Sequence, residues 1–214
     1  MESSNSPSPR RPRGRPRSAS VDEALAKAAL EEFRANGFHR MSMDAIAERA
    51  GVSKVSLYRR WGSKLEVVGE VMRRMSDTAP PADHGDFVSD VRALLRASMG
   101  TPEARSAARM LMRTVGELAD DPALLEVYRT HLFAPRMAQM RALVERAKAR
   151  SELREGLSVE VASALIAGPI FVFMLAHLVD ERSRVSPRAV DELAEAIRRA
   201  VVAEAPARRS ASKR

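Results

Sequence analysis

Cationic and hydroxyl side chains gather in one short stretch of the sequence, and their types are those that bind phosphates and read base edges. The stretch carries Lys54, Val55, Ser56, Tyr58, Arg59 and Arg60. Lysine and arginine can reach guanine O6 and N7, and hydroxyl groups can contact phosphates. The major groove of DNA admits one α-helix, so these side chains would suit DNA binding if they shared the outer face of a helix.

The segment from Met41 to Trp61 is predicted to supply that helix. Its sequence indicates two short helices, capped by Ser42 and Ser53 and joined by a turn at Gly51. Its apolar residues can all face the preceding helix, and they are Met43, Ile46, Ala47, Ala50, Val52, Leu57 and Trp61. Helix-turn-helix geometry also occurs in bundles without nucleic acid, and a basic face can simply be solvated. Both interpretations stay open on the pattern alone.

The overall composition is that of a globular protein with a basic balance. The chain has 214 residues, of which 45% are hydrophobic and 30% are charged, enough for one domain or two small ones. Lys and Arg number 36 against 28 Asp and Glu, and the excess lies towards the two ends. Such a distribution suits a polyanionic partner near the N-terminus. Cysteine is absent, which excludes disulfides and thiolate metal sites.

Several other classes of function are not expected. The histidines are scattered, at His39, His84, His131 and His177, and no nucleophile motif, Gly-rich phosphate loop or metal-binding motif is present. We therefore expect no enzymatic activity, no cofactor and no metal. Residues 1–17 lack the apolar core of a secretory signal, and polar, glycine and proline residues interrupt the apolar run over 162–179. A cytoplasmic protein without a membrane span is predicted.

The residue spacing predicts an all-α fold of about nine helices, because Ala, Leu, Met, Arg and Glu recur every three or four residues. The predicted helices cover 21–36, 42–50, 53–61, a helix from Ser63, 87–99, 102–119, 122–150, 159–181 and 187–203. Ser20 with Glu23, and Ser63 with Glu66, are predicted capping boxes. Three further predicted caps, each ahead of a proline at the first helical position, are Thr101, Asp121 and Ser186. Pro135 and Pro169 should kink or interrupt their helices.

The segment from Ser42 to Lys64, above all AERAGVSKVSLYRRWGSK, resembles the core of the TetR/AcrR family of bacterial transcriptional regulators. The matching pattern is GVS-x-x-[ST]-[IL]-Y-x-x-[FW]-x-[ST]-K. The resemblance implies base contacts for Lys54 and Val55, and phosphate contacts for Ser56 and Tyr58. It also implies a base or phosphate contact for Arg60, a phosphate anchor at Lys64, a backbone contact at Ser42 and a core position for Trp61. Arg59 is added from its charge and expected exposure alone.

An arginine-rich stretch, Arg10 to Arg17, precedes these helices, and its Gly-Arg-Pro centre resembles the AT-hook type of minor-groove binder. We expect Arg13 and Arg15 to enter a narrow A·T-rich minor groove, where the negative potential is strongest. A disordered tail with nonspecific phosphate affinity is the alternative. The C-terminal basic residues have no predicted function beyond solvation.

The C-terminal part, with FAPRMAQMRALVERAKARSELREGL and AGPIFVFML, resembles the ligand-binding domain of the same family. The resemblance implies that the helices over 159–181 and 187–203 form a four-helix dimer interface. Apolar residues available for a partner are Leu165, Ile166, Ile170, Phe173, Leu175, Val190, Leu193, Ile197 and Val201. Each could equally belong to an internal core.

A small-molecule pocket in the C-terminal part is also predicted. Its candidate residues are Met99, Met110, Met112, Met137, Met140, Phe171 and Met174, with Arg113 and His177 as polar groups. Methionine repacks readily around apolar guests, although it is also common core filler. We expect a repressor that binds a pseudo-palindromic operator as a homodimer and is released by an effector. The alternative is a ligand-independent or activating DNA-binding protein controlled by a partner.

These expectations divide the chain into four parts. Residues 1–19 form a basic arm, 20–75 a helix-turn-helix domain, 86–204 a helical ligand-binding and dimerisation domain, and 205–214 a basic tail. The boundary between the two domains lies in a stretch with Pro80, Pro81 and Gly85 and no helical periodicity.

Overall fold

The computed structural model describes residues 16–77, 83–99, 101–180 and 185–203, and this part of the chain is helical without a β-strand. It holds nine helices when 122–149 is counted as one, which confirms the predicted all-α fold class. The helices are α1 (Pro16–Arg40), α2 (Met43–Arg49), α3 (Lys54–Arg60), α4 (Lys64–Ser76), α5 (Phe87–Met99), α6 (Pro102–Leu118), α7, α8 (Val159–Val179) and α9 (Pro187–Val201). Helix α7 joins Pro122–Tyr128, a π-helical turn Arg129–Phe133, and Ala134–Ala149.

Helices α1 to α4 form the head, and their core is apolar. The side chains of Phe33, Ile46, Leu57 and Val67 are at most 1% exposed. The same hydrophobic cluster continues into the other helices through Met110, Leu111, Leu118, Leu124 and Leu132. The head therefore packs directly on α6 and α7.

The first helix differs from its prediction at both ends. It begins at Pro16 rather than at Val21, so Ser20 lies inside the helix and the predicted capping box with Glu23 is wrong. A proline in the first turn costs no helical hydrogen bond, which makes the earlier start favourable. Gly37 breaks the helical backbone with φ 70°, and a short helical turn then continues to Arg40.

The predicted N-caps of the other helices agree with the structure. Ser42, Ser53 and Ser63 each accept a hydrogen bond from the backbone N–H three residues on, and so begin α2, α3 and α4. Thr101, Asp121 and Ser186 do the same ahead of a proline at α6, α7 and α9. These caps satisfy backbone donors that the first turn leaves free.

The α-helix is interrupted near Pro135, as predicted, but not at Pro169. In α7 the backbone widens into the π-helical turn before Pro135, and the helix continues. Pro135 has no N–H for the carbonyl of His131, and its ring crowds that carbonyl. Helix α8 runs through Pro169 to Val179 without interruption.

A second hydrophobic cluster forms the core of the body, which comprises α5 to α9. Its most buried residues include Phe87, Leu95, Leu143, Ile166 and Val201.

A buried carboxylate anchors the connection that enters α5. Asp90 accepts a hydrogen bond from the backbone N–H of His84 at 2.8 Å and lies 3.3 Å from Arg150 Nη2.

The apolar stripe of α9 does not face outward. Val190, Ile197 and Val201 are at most 5% exposed and pack in the body core, and Leu193 is half-buried against them. The prediction that this stripe could face a partner is therefore wrong. An apolar stripe with helical spacing can be buried against a neighbouring helix of its own chain as well as against a partner subunit.

The apolar residues of α8 divide between two faces. Ile166 and Ile170 are buried and Phe173 is half-buried, all in the body core. Leu165 and Leu175 remain 38% and 44% exposed. The stretch from Val159 to Ala176 has a mean hydropathy of 2.1, and only 22% of it is buried. By length and composition alone, this helix could cross a membrane.

Candidate nucleic-acid interface

The turn between α2 and α3 sets the direction of α3. Gly51 adopts φ 67°, a left-handed conformation in which glycine has no steric penalty. The backbone N–H of Val52 then donates to the carbonyl of Ala47 at 3.0 Å. Leu57 and Trp61 are buried on the inner side of this unit, as the sequence pattern predicted. The opposite side of α3 is therefore turned to the surface.

The exposed face of α3 carries the predicted DNA-binding side chains together. Val55 is 77% exposed and Tyr58 is 50% exposed, although both are large residues with apolar surface. Lys54, Arg59 and Arg60 are exposed as well. Ser56 is half-buried, and its hydroxyl lies 3.0 Å from the hydroxyl of Ser53.

Two cations of α3 are paired with carboxylates of neighbouring helices. Lys54 Nζ lies 2.6 Å from Asp44 Oδ2 of α2, and the hydrogen bond to Asp44 raises the pKa of Lys54. Arg60 Nη2 lies 3.1 Å from Asp22 Oδ2 of α1. Within the described residues, Arg59 has no carboxylate within 4.0 Å of its guanidinium. The face therefore holds hydrogen-bond donors and acceptors side by side.

Lys64 and Ser42 lie at helix starts beside this face. Lys64 Nζ donates to the carbonyls of Phe38 at 3.0 Å and His39 at 2.9 Å, and it lies 5.2 Å from the centre of the Phe38 ring. It therefore holds the turn between α1 and α2 in place. The Ser42 hydroxyl accepts from Ala45 N at 3.4 Å, which leaves its proton available. Arg13 and Arg15 lie outside the described residues.

The predicted pocket residues are distributed over the two hydrophobic clusters and the surface. Met99 and Met140 belong to the body core, whereas Met110 belongs to the cluster of the head. Met112 is buried, Met137 is half-buried, and Phe171 is 52% exposed on α8. Met174 is half-buried and packs against both clusters. The side chain of His177 lies outside the described residues.

Arg113, predicted as a polar group of the pocket, instead contacts the head. Its Nη1 lies 3.3 Å from the carbonyls of Arg34 and Ala35 at the end of α1. Glu117, one turn further along α6, accepts from Phe38 N at 2.9 Å. A Cβ added to Gly37 would lie 2.7 Å from Glu117 Oε1. These contacts fasten α6 to the break in α1.

Among the surface clefts of the described residues, three lie on the head or at its junction with α7. One of them has a volume of about 570 Å³ and lies between α1 and α3, lined in part by Val21, Val52 and Arg59. A second borders Trp61, Gly69 and His131, and a third lies between α1 and α4. None of the predicted pocket residues lines them.

Sequence reasoning missed the carboxylates that pair with α3. Asp22 and Asp44 are far in sequence from Arg60 and Lys54, so no spacing within one helix reveals the contacts. Only the crossing of three helices brings them together. Over the ranges that the structure describes, no three His, Cys, Asp or Glu side chains are grouped so as to hold a metal ion.

An exposed, cationic and hydroxyl-bearing helix after a glycine turn, supported on a buried head, is the arrangement found in helix-turn-helix DNA-binding proteins. Comparison with known proteins identifies the family. Residues 25–71 match the model of bacterial regulatory proteins of the tetR family, and residues 81–197 match the tetracyclin repressor-like C-terminal domain.

Relatives extend the match over most of the chain. The uncharacterized regulator YdeS of Bacillus subtilis, of the helix-turn-helix type, is 37% identical over 166 residues, which is 76% of this chain and 82% of YdeS. The DNA-binding transcriptional repressor TetR of Mycobacteroides abscessus is 30% identical over 185 residues, 79% of this chain and 93% of that protein.

Solved structures show the same fold. NalD of Pseudomonas aeruginosa, the secondary repressor of the MexAB-OprM multidrug efflux pump, superposes with a TM-score of 0.60 at 20% identity. The match covers 88% of this chain and 98% of NalD. The chain belongs to the TetR family and is a DNA-binding transcriptional regulator.

Proposed function

We propose that this protein is a cytoplasmic repressor that binds a pseudo-palindromic operator as a homodimer through α3 and is released by a small apolar effector. The exposed face of α3 is the observation that carries the DNA-binding part. Val55 and Tyr58 stand exposed there beside the cations Lys54 and Arg59, so one helix face offers apolar, hydroxyl and charged groups together. Val55 can contact a thymine methyl group, and Tyr58 can donate to a phosphate.

A second copy of the chain is the partner that fits the outer face of α8. This face shows Val161, Leu165, Phe171, Val172, Leu175 and Val179, which are 38–82% exposed. Ala164 and Gly168 lie between them and are also exposed, so another helix could approach closely. A two-fold interface between copies of α8 would bury this apolar surface, and it accounts for the high hydropathy of the helix without a membrane.

Control by an effector is proposed from the contacts between α6 and the head. Arg113 and Glu117 hold the break in α1, and the half-buried Met174 of α8 packs on both hydrophobic clusters. An apolar molecule that entered beside α6 and α8 would shift these contacts. The distance between the two heads of the dimer would then no longer match the spacing of successive major grooves, about 34 Å, and operator binding would weaken.

Activation is the second candidate for the regulatory outcome. The transcriptional activator FasR of Mycolicibacterium smegmatis is 43% identical over 74 residues, although the match covers only 30% of that protein. The repressor TetR of Mycobacteroides abscessus matches over 93% of its length. The longer match favours repression.

Selection of bound sequences from random double-stranded DNA tests the proposed function. Two inverted half-sites with centres about one helical turn apart, or a multiple of it, are expected for a two-fold dimer. Failure to enrich any sequence would contradict sequence-specific binding. A single half-site would contradict the dimer.

A thermal-shift screen with apolar compounds tests the effector. A compound that binds the folded state raises Tm, by an amount set by its concentration relative to Kd. The same compound must then weaken operator binding. If no compound raises Tm and none changes operator binding, control by a partner protein is favoured instead.

A further inference from the structure

The ion pair between Lys54 and Asp44 lies within the surface that would face DNA. Both side chains are largely exposed, at 64% and 58%, and Asp44 lies in the first turn of α2. An exposed ion pair of this kind contributes little to folding stability. Because the pair lies on the same surface as Val55 and Tyr58, we expect it to affect DNA binding more than folding.

A carboxylate beside DNA has two physical consequences. Its negative charge repels phosphates, and it pairs with the lysine that would otherwise bind them. By charge alone, it therefore weakens binding to DNA of any sequence. It also provides an acceptor, and in the major groove the base-edge donors that suit a carboxylate include the N4 amino group of cytosine. Lysine, in turn, donates to O6 and N7 of guanine.

These two requirements meet in a G·C base pair. Guanine O6 and cytosine N4 are adjacent on its major-groove edge, where one accepts and the other donates. Lys54 and Asp44 present the complementary donor and acceptor, with Nζ and Oδ2 2.6 Å apart. An A·T pair also places an acceptor, thymine O4, beside a donor, adenine N6. The other neighbour of thymine O4 is a methyl group, however, whereas guanine O6 has a second acceptor, N7, beside it for the lysine.

We propose that Asp44 is a specificity-determining residue that, together with Lys54, reads one G·C base pair in each half-site. At sequences without that pair, the carboxylate disfavours binding. The inference rests on the proposed function, because it requires α3 to lie in the major groove. Asp22 has a different role in this arrangement, since it is only 30% exposed and holds Arg60 from α1.

The test compares the wild type with Asp44→Asn, which keeps the size of the side chain and removes its charge. Asp77→Asn is the matched control, because Asp77 is also exposed and paired with an arginine, Arg73, at the far end of α4. Both variants change the net charge equally. Each protein is titrated, at several salt concentrations, with its selected operator and with a random-sequence duplex.

Asp44→Asn is expected to bind the random duplex about five- to tenfold more tightly, with a salt slope steeper by about 0.9, as for one added phosphate contact. Its preference for operator should fall by a similar factor. Selection with Asp44→Asn, and with Lys54→Met as a second variant, should lose the same G·C position. Asp77→Asn should match the wild type.

Two results would overturn the inference. If Asp44→Asn keeps the wild-type preference for operator and the wild-type consensus, Asp44 does not determine specificity, while the proposed function stands. If the wild type itself shows no preference for any sequence, the proposed function fails and the inference fails with it. Native circular dichroism of both variants establishes that the comparison concerns folded protein.

Discussion

The Ser76 hydroxyl lies 2.8 Å from the carbonyl oxygen of His131, and this contact joins the last turn of α4 to the π-helical turn of α7. The same hydroxyl lies 2.8 Å from the carbonyl oxygen of Arg73, so its single proton is shared between two carbonyls, and that of His131 cannot accept from Pro135. Arg136 and Gln139 add hydrogen bonds of 3.0 Å to the carbonyls of Met75 and Ser76. One short stretch of α7 thus holds the end of the helix that leaves the head.

Removal of the serine hydroxyl should therefore weaken the junction. Ser76→Ala removes the donor that the carbonyls of Arg73 and His131 share, at a cost of about 1–2 kcal/mol in the free energy of unfolding. Denaturant titration followed by circular dichroism measures the change. Ser98→Ala is the control, since Ser98 is a half-buried helical serine for which the described structure shows no hydrogen bond. Equal stability of the two variants would show that the contact contributes nothing.

The buried carboxylate of Asp90 makes stability depend on pH. Burial alone would raise its pKa, but hydrogen bonds from His84 and Arg150 and the charge of Arg146 outweigh it and hold the pKa below the ordinary value of 3.8. A carboxyl with a lowered pKa stabilises the fold above its unfolded pKa, and the effect disappears as pH falls through the folded value.

Asp90→Asn should accordingly be less stable than the wild type near neutral pH, and the difference should shrink once the pH falls below 3.8. Unfolding titrations at several pH values measure this. Asp120→Asn, a change of an exposed aspartate, is the control for the loss of one carboxylate. If the difference in free energy of unfolding between Asp90→Asn and the wild type stays constant down to acid pH, ionisation of Asp90 is not its cause.

A charge on the outer face of α8 should dissociate the proposed dimer. Val172 is 61% exposed in the protomer, so Val172→Glu costs little in the isolated subunit but would place a charge in an apolar interface. Sedimentation should change from about twice the chain mass of 23.5 kDa to the monomer value. Leu125→Glu on α7, where Leu125 is 47% exposed, should leave the dimer intact. A Val172→Glu protein that stays dimeric would exclude this face.

The N-terminal arm should bind phosphates. Deletion of residues 1–15 removes Arg10, Arg11, Arg13 and Arg15 and spares α1. The salt slope of DNA binding should fall by about 0.9 for each phosphate that is no longer neutralised. Deletion of residues 205–214 removes Arg208, Arg209, Lys213 and Arg214 and serves as the control. If the two deletions change the slope equally, the arm has no particular role.

Local signals in the sequence predicted the helices well. Capping serines, prolines after caps and the glycine turn act within a few residues, so Ser42, Ser53 and Gly51 could be placed without knowledge of the fold. The burial of Leu57 and Trp61 followed from helical periodicity in the same way. The outward face of α3 was predicted for this reason.

Contacts between distant helices could not be predicted from one sequence. Periodicity shows that the stripe of Val190 and Ile197 is apolar, but not whether its own chain or a partner covers it. The positions of Arg113 and Asp44 depend on how α6 meets α1 and how α2 meets α3. A long side chain at a surface position has many partners within reach, and only the packing of the helices selects one.

The most direct test of α3 as the DNA-reading helix is the affinity of the wild type, Lys54→Ala, Tyr58→Ala and the distant control Arg129→Ala for the selected operator. Fluorescence anisotropy measures binding, and circular dichroism checks the fold. Lys54→Ala and Tyr58→Ala are expected to bind about tenfold or more weakly, because a direct interaction with DNA contributes about 1–3 kcal/mol, whereas Arg129→Ala should bind like the wild type. Unchanged affinity of both α3 variants, with native spectra, would contradict the assignment.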